Sequence, residues 1–275
     1  MDIISENMSH GGVQGVYKHV AKTTQCEMTF AVFMPPSKKN PSPVLWYLSG
    51  LTCNHSNVME KGGYRRLAAE LGIAIVCPDT SPRGESVPDE KDNWQFGLGA
   101  GFYLDATELP FSVNYNMSSY ILDELTELID DKFDVHMNRQ GIFGHSMGGH
   151  GALTMALKNP KRFRSCSAFA PISHPTTADW SMPAFQKYLG QKSDEWRKYD
   201  AVSLIEDGNF FPKLFVDQGE ADSFLEEGLR PWLLVEACEK AGIEIELRMH
   251  KNYDHSYFFI STFMEDHLRW HFSHL

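Results

Sequence analysis

Residues 141–150 read Gly-Ile-Phe-Gly-His-Ser-Met-Gly-Gly-His, and they join a short apolar run to a helix-like stretch that continues to Lys158. An apolar run, a Gly-x-Ser-x-Gly turn and a helix in this order are typical of the nucleophile elbow of an α/β-hydrolase. In such a turn the serine, here Ser146, is exposed at the end of a strand, and the next backbone N–H can bind an oxyanion. Gly144 and Gly148 must be small, because a Cβ there would collide with the neighbouring strand and helix. The pentapeptide also occurs by chance, so the rest of the chain must support this interpretation.

Strand-like and helix-like segments alternate on both sides of this turn. The apolar patterns predict strands at 29–34, 44–48, 73–76, 163–169, 213–216 and 243–249, and helices at 64–71, 120–133 and 231–240. Residues 79–115 are rich in Gly, Pro and aromatic residues and are too long for an ordinary connection, which predicts a structured functional loop region. The alternation predicts a mostly parallel central sheet with helices on both faces, the α/β-hydrolase fold, in a single domain over residues 1–275.

Composition excludes several classes of function. The formal net charge is −11, whereas a nucleic-acid-binding surface requires clustered Lys and Arg. Residues 1–7 lack the basic and apolar regions of a secretory signal, and no run approaches the ~20 apolar residues of a membrane span. The five cysteines are odd in number, widely spaced and free of Cys-x-x-Cys spacing, as is typical of reduced thiols in a cytoplasm. We therefore expect a cytoplasmic protein with no nucleic-acid or membrane partner.

Candidate partners for Ser146 follow later predicted strands in the order nucleophile, acid and base. Asp217 and Asp222 follow one predicted strand, and His255 follows the last one. Loops beyond the carboxyl ends of parallel strands converge on one crevice, so we assign Asp222 as the acid and His255 as the general base. Asp217 is the strongest rival, but it lies at the strand end, where the sheet dictates its direction. Asp254 is too near His255 in sequence to reach its ring easily.

The second oxyanion donor should come from the loop after an earlier strand. Residues 49–52, Ser-Gly-Leu-Thr, follow the predicted strand at 44–48, and the backbone N–H groups of Leu51 and Met147 form the expected pair. Cys53 comes directly after this loop, so its modification could block the site. A free cysteine is, however, most often only a small buried hydrophobic residue.

Five longer strings carry a specific resemblance. They are YLSGLTC at 47–53, PDTSPRG at 78–84, GLGAGFYLDAT at 97–107, GHSMGGHGAL at 144–153 and YDHSY at 253–257. In these strings the chain resembles the S-formylglutathione hydrolase family, also called esterase D, over essentially its whole length. The resemblance implies a cytoplasmic, commonly homodimeric serine hydrolase without a cofactor or metal. It also implies a thioester substrate, S-formylglutathione, cleaved to glutathione and formate in formaldehyde detoxification, and a triad of Ser146, Asp222 and His255.

The implied substrate suggests which residues could bind it. A formyl group needs little room, so we expect a narrow acyl pocket walled by Met147, Trp180 or Phe102. Glutathione is anionic, and the acidic protein does not attract it. Lys61 and Arg83 are therefore candidate cations that could bind its carboxylates.

Other interpretations remain open. A general short-chain carboxylesterase or acyltransferase could use the same fold, whereas a binding protein derived from a hydrolase would have lost a triad member, and none is missing. His267 and His271 have the i, i+4 spacing of a metal face, but without a nearby cysteine or acidic ligand pattern an exposed final helix explains them better. We interpret the aromatic residues of that helix as core packing; they are Tyr257, Phe258, Phe259, Phe263, Trp270 and Phe272.

Overall fold

The computed structural model describes residues 1–36, 40–90 and 93–275, and these residues form a nine-stranded sheet. The strands are β1 (Asp2–Ser9), β2 (Gly12–Ala21), β3 (Cys26–Met34), β4 (Ser42–Leu48), β5 (Ala74–Pro78), β6 (Val135–His145), β7 (Phe163–Phe169), β8 (Lys213–Gly219) and β9 (Glu244–His250). The helices are α1 (His55–Lys61), α2 (Arg65–Leu71), α3 (Met117–Ser119), α4 (Thr126–Lys132), α5 (Met147–Lys158), α6 (Met182–Leu189), α7 (Asp194–Arg197), α8 (Ala201–Glu206), α9 (Pro231–Ala241) and α10 (Tyr257–Phe272).

The sheet has the order β1-β2-β3-β5-β4-β6-β7-β8-β9. Strands β1, β2, β3 and β5 pair antiparallel, whereas β5, β4, β6, β7, β8 and β9 pair parallel. Parallel neighbours present their carboxyl ends at the same edge, so the loops after β4, β6, β8 and β9 meet there. The predicted α/β-hydrolase fold is confirmed.

Segments with strong apolar runs follow the predictions closely. Strand β4 is buried along nearly its whole length and β5 along all of it, as expected for strands covered on both faces. Strands β1 and β2 and helix α1 were not predicted. Most of β1 is exposed, and Val58 is the buried residue of α1. Strand β1 and helix α1 therefore carry no apolar pattern that could identify them.

Residues 79–90 and 93–115 form the predicted structured loop region, with a 3₁₀ turn at Phe111–Val113 and a buried aromatic interior. Tyr188 of α6 ties the region to the helices, because its hydroxyl donates to the Ala100 carbonyl at 2.8 Å. The region also reaches the loop after β4, where the Thr52 backbone N–H donates to the Gly99 carbonyl at 2.9 Å. This long connection therefore supports the carboxyl edge of the sheet.

Helix α10 differs from the sequence-based expectation. His267 and His271 are fully buried instead of lying on an exposed helix. Both imidazoles bond to the hydroxyl of Ser167 on β7, so the polar residues that suggested an exposed face are the ones that pack on the sheet. Conversely, Phe258 is 84% exposed and Phe272 is 43% exposed, so their assignment to the core was wrong.

The described residues hold neither a metal-binding cluster nor a membrane-spanning helix. Within residues 1–36, 40–90 and 93–275, no group of three or more His, Cys, Asp or Glu side chains could hold a metal ion. None of the helices described above is long and apolar enough to cross a membrane.

Candidate active site

Ser146 lies at the junction of β6 and α5, in a backbone conformation that non-glycine residues rarely adopt. Its φ is 57° and its ψ is −118°, a strained combination of the kind that concentrates at functional sites. A Cβ on Gly144 would lie 2.5 Å from the Leu48 carbonyl oxygen, and one on Gly148 would lie 2.7 Å from the Ser49 carbonyl oxygen. The prediction that both glycines must be small is therefore confirmed: the turn packs directly on the end of β4.

Asp222 and His255 meet in the loops that follow β8 and β9. His255 Nδ1 lies 2.6 Å from Asp222 Oδ2, and the Asp222 side chain has no exposed surface. The carboxylate is fixed by two further donors, the Gln218 side-chain amide at 3.1 Å and the Phe224 backbone N–H at 2.8 Å. These three donors fix the direction of Asp222 and leave it aimed at the imidazole.

The two rival acids bind elsewhere. Asp217 lies within β8 and accepts hydrogen bonds from Nε and Nη2 of Arg248, at 2.7 and 2.6 Å. Asp254 accepts hydrogen bonds from the backbone N–H and the hydroxyl of Ser256, at 3.0 and 2.6 Å, and Ser256 is the N-cap of α10. Of the three acids considered from sequence, Asp222 is the one in contact with His255.

Ser146 and His255 line the same pocket, which has a volume of about 280 Å³. The other lining residues come from the loops after β4 and β8, from the end of β6, from the start of α10 and from two longer connections: Gly50, Leu51, Thr52, Cys53, Trp94, His145, Trp180, Phe224 and Tyr257. In the part of the chain that the structure describes, no hydrogen bond links the Ser146 hydroxyl to His255. Such bonds are often long in ligand-free enzymes and shorten in the substrate complex.

The loop after β4 lies directly against Ser146. A Cβ on Gly50 would be 3.2 Å from the Ser146 Cβ, which places the next residue, Leu51, in the pocket wall. Met147 is the first residue of α5, so its N–H points out of the helix N-terminus, where negative charge is favoured. Among the described residues, neither the Leu51 N–H nor the Met147 N–H has a protein acceptor. Both donors are free for a ligand.

Arg83 and Lys61, the two cations proposed to bind glutathione, have different surroundings. Arg83 forms an ion pair with Asp79, with Nε and Oδ2 2.9 Å apart, and its Nη2 donates to the Cys53 carbonyl at 3.1 Å. Lys61 ends α1 with its Nζ 6.0 Å from the centre of the Tyr257 ring. Neither side chain lines the pocket. In this structure Arg83 braces the loop after β4.

The three residues proposed as walls of the acyl pocket also differ in where they lie. Trp180 lines the pocket. Phe102 does not, because its ring is fully buried against His150 and Phe185 at centroid distances of 6.2 and 5.7 Å. The Met147 side chain is fully buried as well, with its sulfur 3.3 Å from the Phe102 backbone nitrogen.

An aromatic wall covers the base, and two of its members, Trp94 and Phe224, were missed by sequence reasoning. The Trp94 ring stacks on Trp180 with centroids 5.8 Å apart, Trp180 meets Phe224 at 6.3 Å, and Phe224 meets His255 at 5.0 Å. Phe224 stands two residues after Asp222, a position that could have identified it. Trp94 lies within the long connection, where no periodic pattern indicates which aromatic residue turns toward the site.

His145 is a second imidazole beside the base, with its ring centre 4.3 Å from that of His255. Burial holds the pKa of His145 well below its ordinary value, and the nearby His255 lowers that pKa further. His145 is therefore neutral at physiological pH. A neutral neighbour leaves His255 free to take the positive charge that a general base must carry.

Cys53 lines the pocket beside the oxyanion loop. Burial raises the pKa of its thiol, although Tyr257, Lys61 and Arg83 oppose the shift. The group is therefore a thiol at neutral pH, and the thiolate is the nucleophilic form of cysteine. Cys53 is thus a wall of the site whose own nucleophilicity is suppressed.

A larger cavity lies elsewhere in the described residues. It has a volume of about 630 Å³ and is formed mainly by α8, α9 and the turn after α8. Ser146, Asp222 and His255 are not among its lining residues, so cavity size alone does not identify the candidate site.

Comparisons with known proteins agree on one relationship. The family model "Putative esterase" matches residues 21–270. A protein of Paracoccus denitrificans named S-formylglutathione hydrolase is 48% identical over 271 residues, which cover 98% of this chain and 96% of the relative. A mouse protein of the same name is 46% identical over 276 residues, covering 99% of this chain and 98% of the relative.

Solved structures extend the comparison. The structure of an S-formylglutathione hydrolase from Agrobacterium tumefaciens superposes with a TM-score of 0.99 at 63% identity, covering all of both chains. A ferulic acid esterase superposes with a TM-score of 0.75 at 17% identity, covering 95% of this chain and 98% of the other. The second likeness concerns the fold alone.

Proposed function

Because the chain belongs to the S-formylglutathione hydrolase family, whose members are hydrolases, we propose that it hydrolyses S-formylglutathione to glutathione and formate by way of a formyl ester on Ser146. One observation carries the mechanism. The imidazole of His255, 2.6 Å from the buried carboxylate of Asp222, lines the same pocket as the strained Ser146. Nucleophile, base and orienting acid are thus available at one site.

Acylation begins when His255 takes the Ser146 hydroxyl proton as the oxygen attacks the formyl carbonyl. The carbonyl oxygen becomes an oxyanion, which the free N–H groups of Leu51 and Met147 bind. The C–S bond then breaks, and glutathione leaves as a thiolate that takes the proton from the imidazolium. A thiolate leaves readily, so activation of Ser146 and binding of the oxyanion matter more than protonation of the leaving group.

Deacylation reverses the proton transfers with water in place of the thiol. His255 removes a proton from water, the hydroxyl attacks the formyl ester, and the same two N–H groups bind the second oxyanion. Ser146 leaves with the proton from His255, and the formic acid that is released ionises to formate and a proton. Asp222 fixes the imidazole with its Nδ1 proton toward the carboxylate throughout, which keeps Nε2 available as the base.

The aromatic wall supports a small acyl group. Trp94, Trp180 and Phe224 close the pocket next to His255, and its volume of about 280 Å³ must hold both the acyl group and the start of the leaving group. A formyl group needs the least room of any acyl group. The same wall is apolar, and this favours the second candidate function, a short-chain carboxylesterase whose alcohol leaving group packs on the tryptophans.

The test is kcat/KM for S-formylglutathione beside that for p-nitrophenyl acetate, with wild type, Ser146→Ala and a matched control. Ser173→Ala is that control, because Ser173 is fully buried and stands outside the pocket. We expect a large preference for S-formylglutathione, loss of both activities in Ser146→Ala, and retention in Ser173→Ala. Equal values for the two substrates would instead support the general carboxylesterase.

We also propose a cytoplasmic location and a homodimer. All five cysteines, which lie within the described residues, are free, as in a reducing compartment. Edge strand β1 exposes Ile3, Ile4 and Met8, an apolar surface that a second copy could cover. Light scattering after gel filtration should give twice the chain mass, 62.4 kDa against 31.2 kDa for one chain. A single-chain mass at micromolar concentration would refute the dimer.

A further inference from the structure

A chain of hydrogen bonds runs through the buried interface between α10 and the sheet, away from the pocket. Ser165 Oγ lies 2.6 Å from His271 Nδ1, and His271 Nε2 lies 2.8 Å from Ser167 Oγ. Ser167 Oγ lies 2.7 Å from His267 Nδ1, and His267 Nε2 lies 3.2 Å from Asp217 Oδ2. All five side chains are buried. None of them takes part in the proposed reaction.

The donors and acceptors in this chain of hydrogen bonds can be assigned by starting at Asp217. An ionised Asp217 only accepts, so His267 Nε2 must carry a proton. In a neutral imidazole the other nitrogen then accepts, so the Ser167 hydroxyl donates to His267 Nδ1. Ser167 has a single proton, and it must therefore accept from His271 Nε2. By the same logic, Ser165 donates to His271 Nδ1, and every bond in the chain points toward Asp217.

The charges agree with this assignment. Burial lowers the pKa of His267, and it lowers that of His271 well below the ordinary value, so both imidazoles are neutral at pH 7. Burial alone would raise the pKa of Asp217, but its hydrogen bonds from Arg248, His267 and His250 outweigh burial and hold that pKa well below its usual range. Asp217 therefore stays ionised and sets the direction of every hydrogen bond from Ser165 to itself.

Asp217 also connects the elements that carry the acid and the base. It lies on β8, five positions before Asp222. It accepts two bonds from Arg248 on β9 and one from His250 Nε2 at 3.0 Å, at the end of the strand that leads to His255. Through His267 it reaches α10, which begins two residues after His255. One buried carboxylate thus ties together β8, β9 and α10.

We propose that Asp217 is a positioning residue: it fixes the acid and base loops relative to each other and holds His267 and His271 as neutral imidazoles protonated at Nε2. The distance of 2.6 Å between His255 and Asp222 joins two loops from different strands. Small shifts between β8 and β9 would lengthen that distance. The kinetic part of this inference rests on the proposed function, whereas the assignment of the two protons does not.

The proton assignment is tested on the full-length wild-type protein labelled with ¹⁵N-histidine. Long-range ¹H–¹⁵N correlation spectra at pH 7 report which ring nitrogen of each histidine carries a proton. We expect His267 and His271 to be protonated at Nε2 alone. A spectrum with either residue protonated at Nδ1, or at both nitrogens, overturns the assignment whatever the enzyme hydrolyses.

Positioning is tested with Asp217→Asn and a matched variant, Asp200→Asn. Asp200 is an equally buried aspartate paired with a histidine, His174, at 2.7 Å, but it caps α8 instead of joining β8 to β9. We measure kcat and KM for p-nitrophenyl acetate and S-formylglutathione, the thermal midpoint, and the far-downfield resonance of the His255 Nδ1 proton. The resonance reports the bond to Asp222 directly.

We expect Asp217→Asn to lower kcat about 10- to 100-fold with little change in KM and to move the His255 resonance upfield. Asp200→Asn should lower the thermal midpoint but keep the resonance in place and kcat within about twofold of wild type. The proposal is overturned if Asp217→Asn leaves kcat and the resonance unchanged, or if both variants lose kcat alike.

A second variant decides the question if Asp217→Asn does not fold. Arg248→Lys keeps the positive charge but cannot form both bonds to Asp217, and its side chain is partly exposed, so the fold should persist. We expect a smaller fall in kcat and an upfield shift of the same resonance. An unshifted resonance with wild-type kcat overturns the proposal. Inactivity of every form, wild type included, toward both substrates would refute the proposed function instead, because the resonance does not depend on turnover.

Discussion

A methyl group at Gly148 should damage both stability and catalysis, although helix propensity alone predicts the opposite. Alanine is favoured over glycine inside a helix by about 1 kcal/mol, and Gly148 is the second residue of α5. The added Cβ, however, would overlap the Leu48 carbonyl and would lie 2.7 Å from the Ser49 carbonyl oxygen. Both neighbours are backbone atoms, so they cannot rotate away.

The magnitude follows from these two opposing effects. Overpacking a filled interior costs about 1–3 kcal/mol, and rigid backbone neighbours favour the upper end of that range. After the gain in helix propensity, about 2 kcal/mol of unfolding free energy should be lost. Relief of the overlap moves residues 48–51, which carry the Leu51 N–H, away from Ser146, and a displacement of about 1 Å can reduce the rate about 10²-fold.

The assay combines urea denaturation with kcat/KM for p-nitrophenyl acetate. Gly242→Ala is the control, because Gly242 has a positive φ of 70° but no atom within 4 Å of an added Cβ. It should lose about 1 kcal/mol through backbone strain and keep its activity. A Gly148→Ala protein as stable and as active as wild type would refute the close packing of the elbow against β4.

Three further substitutions test separate parts of the site and the fold. Asp222→Asn should lower kcat by about 10⁴-fold without unfolding the protein, whereas Asp254→Asn should not; comparable rates for the two variants would contradict the assignment of the acid. Trp180→Ala should raise the ratio of hexanoyl to acetyl ester hydrolysis by about tenfold, and the exposed Trp232→Ala on α9 should not; an unchanged ratio in Trp180→Ala would show that Trp180 does not limit the acyl group. Burial lowers the pKa of His150 to about 4. Between pH 6.5 and pH 4 this side chain therefore binds a proton in the unfolded protein but not in the folded one. The free energy of unfolding should fall by about 3 kcal/mol as the pH drops from 6.5 to 4. His150→Gln should flatten that part of the pH–stability curve in urea denaturation, and an unaltered slope would contradict the buried neutral state.

The sequence was most informative where a pattern has one physical cause. The fully apolar runs that became β4 and β5 predicted buried parallel strands, and the glycines around Ser146 predicted a turn with no room for a Cβ. The order of Asp222 and His255 after later strands predicted two loops at one edge, and these residues are in contact. Each of these features depends on neighbours in sequence or on the direction of a strand.

Features that depend on tertiary contacts escaped prediction. The histidines of α10 appeared to lie on an exposed face because their partners, Ser165 and Ser167, are a hundred residues away. Arg83 was proposed to bind the substrate, yet its Nε is paired with Asp79 and its Nη2 donates to the Cys53 carbonyl. Phe102 belongs to a string shared with the family, but its backbone, with a φ of 49°, turns the ring into the core. A family-like string therefore indicates a related protein without stating which way a side chain points.

The identity of the nucleophile is tested most directly by covalent trapping. The protein is incubated with a fluorophosphonate, and intact mass spectrometry followed by peptide mapping locates the adduct. We predict one adduct per chain, on Ser146, formed in parallel with loss of S-formylglutathione hydrolysis and absent from Ser146→Ala. An adduct on another residue, or a Ser146→Ala protein that still turns over S-formylglutathione at the wild-type rate, would contradict the account.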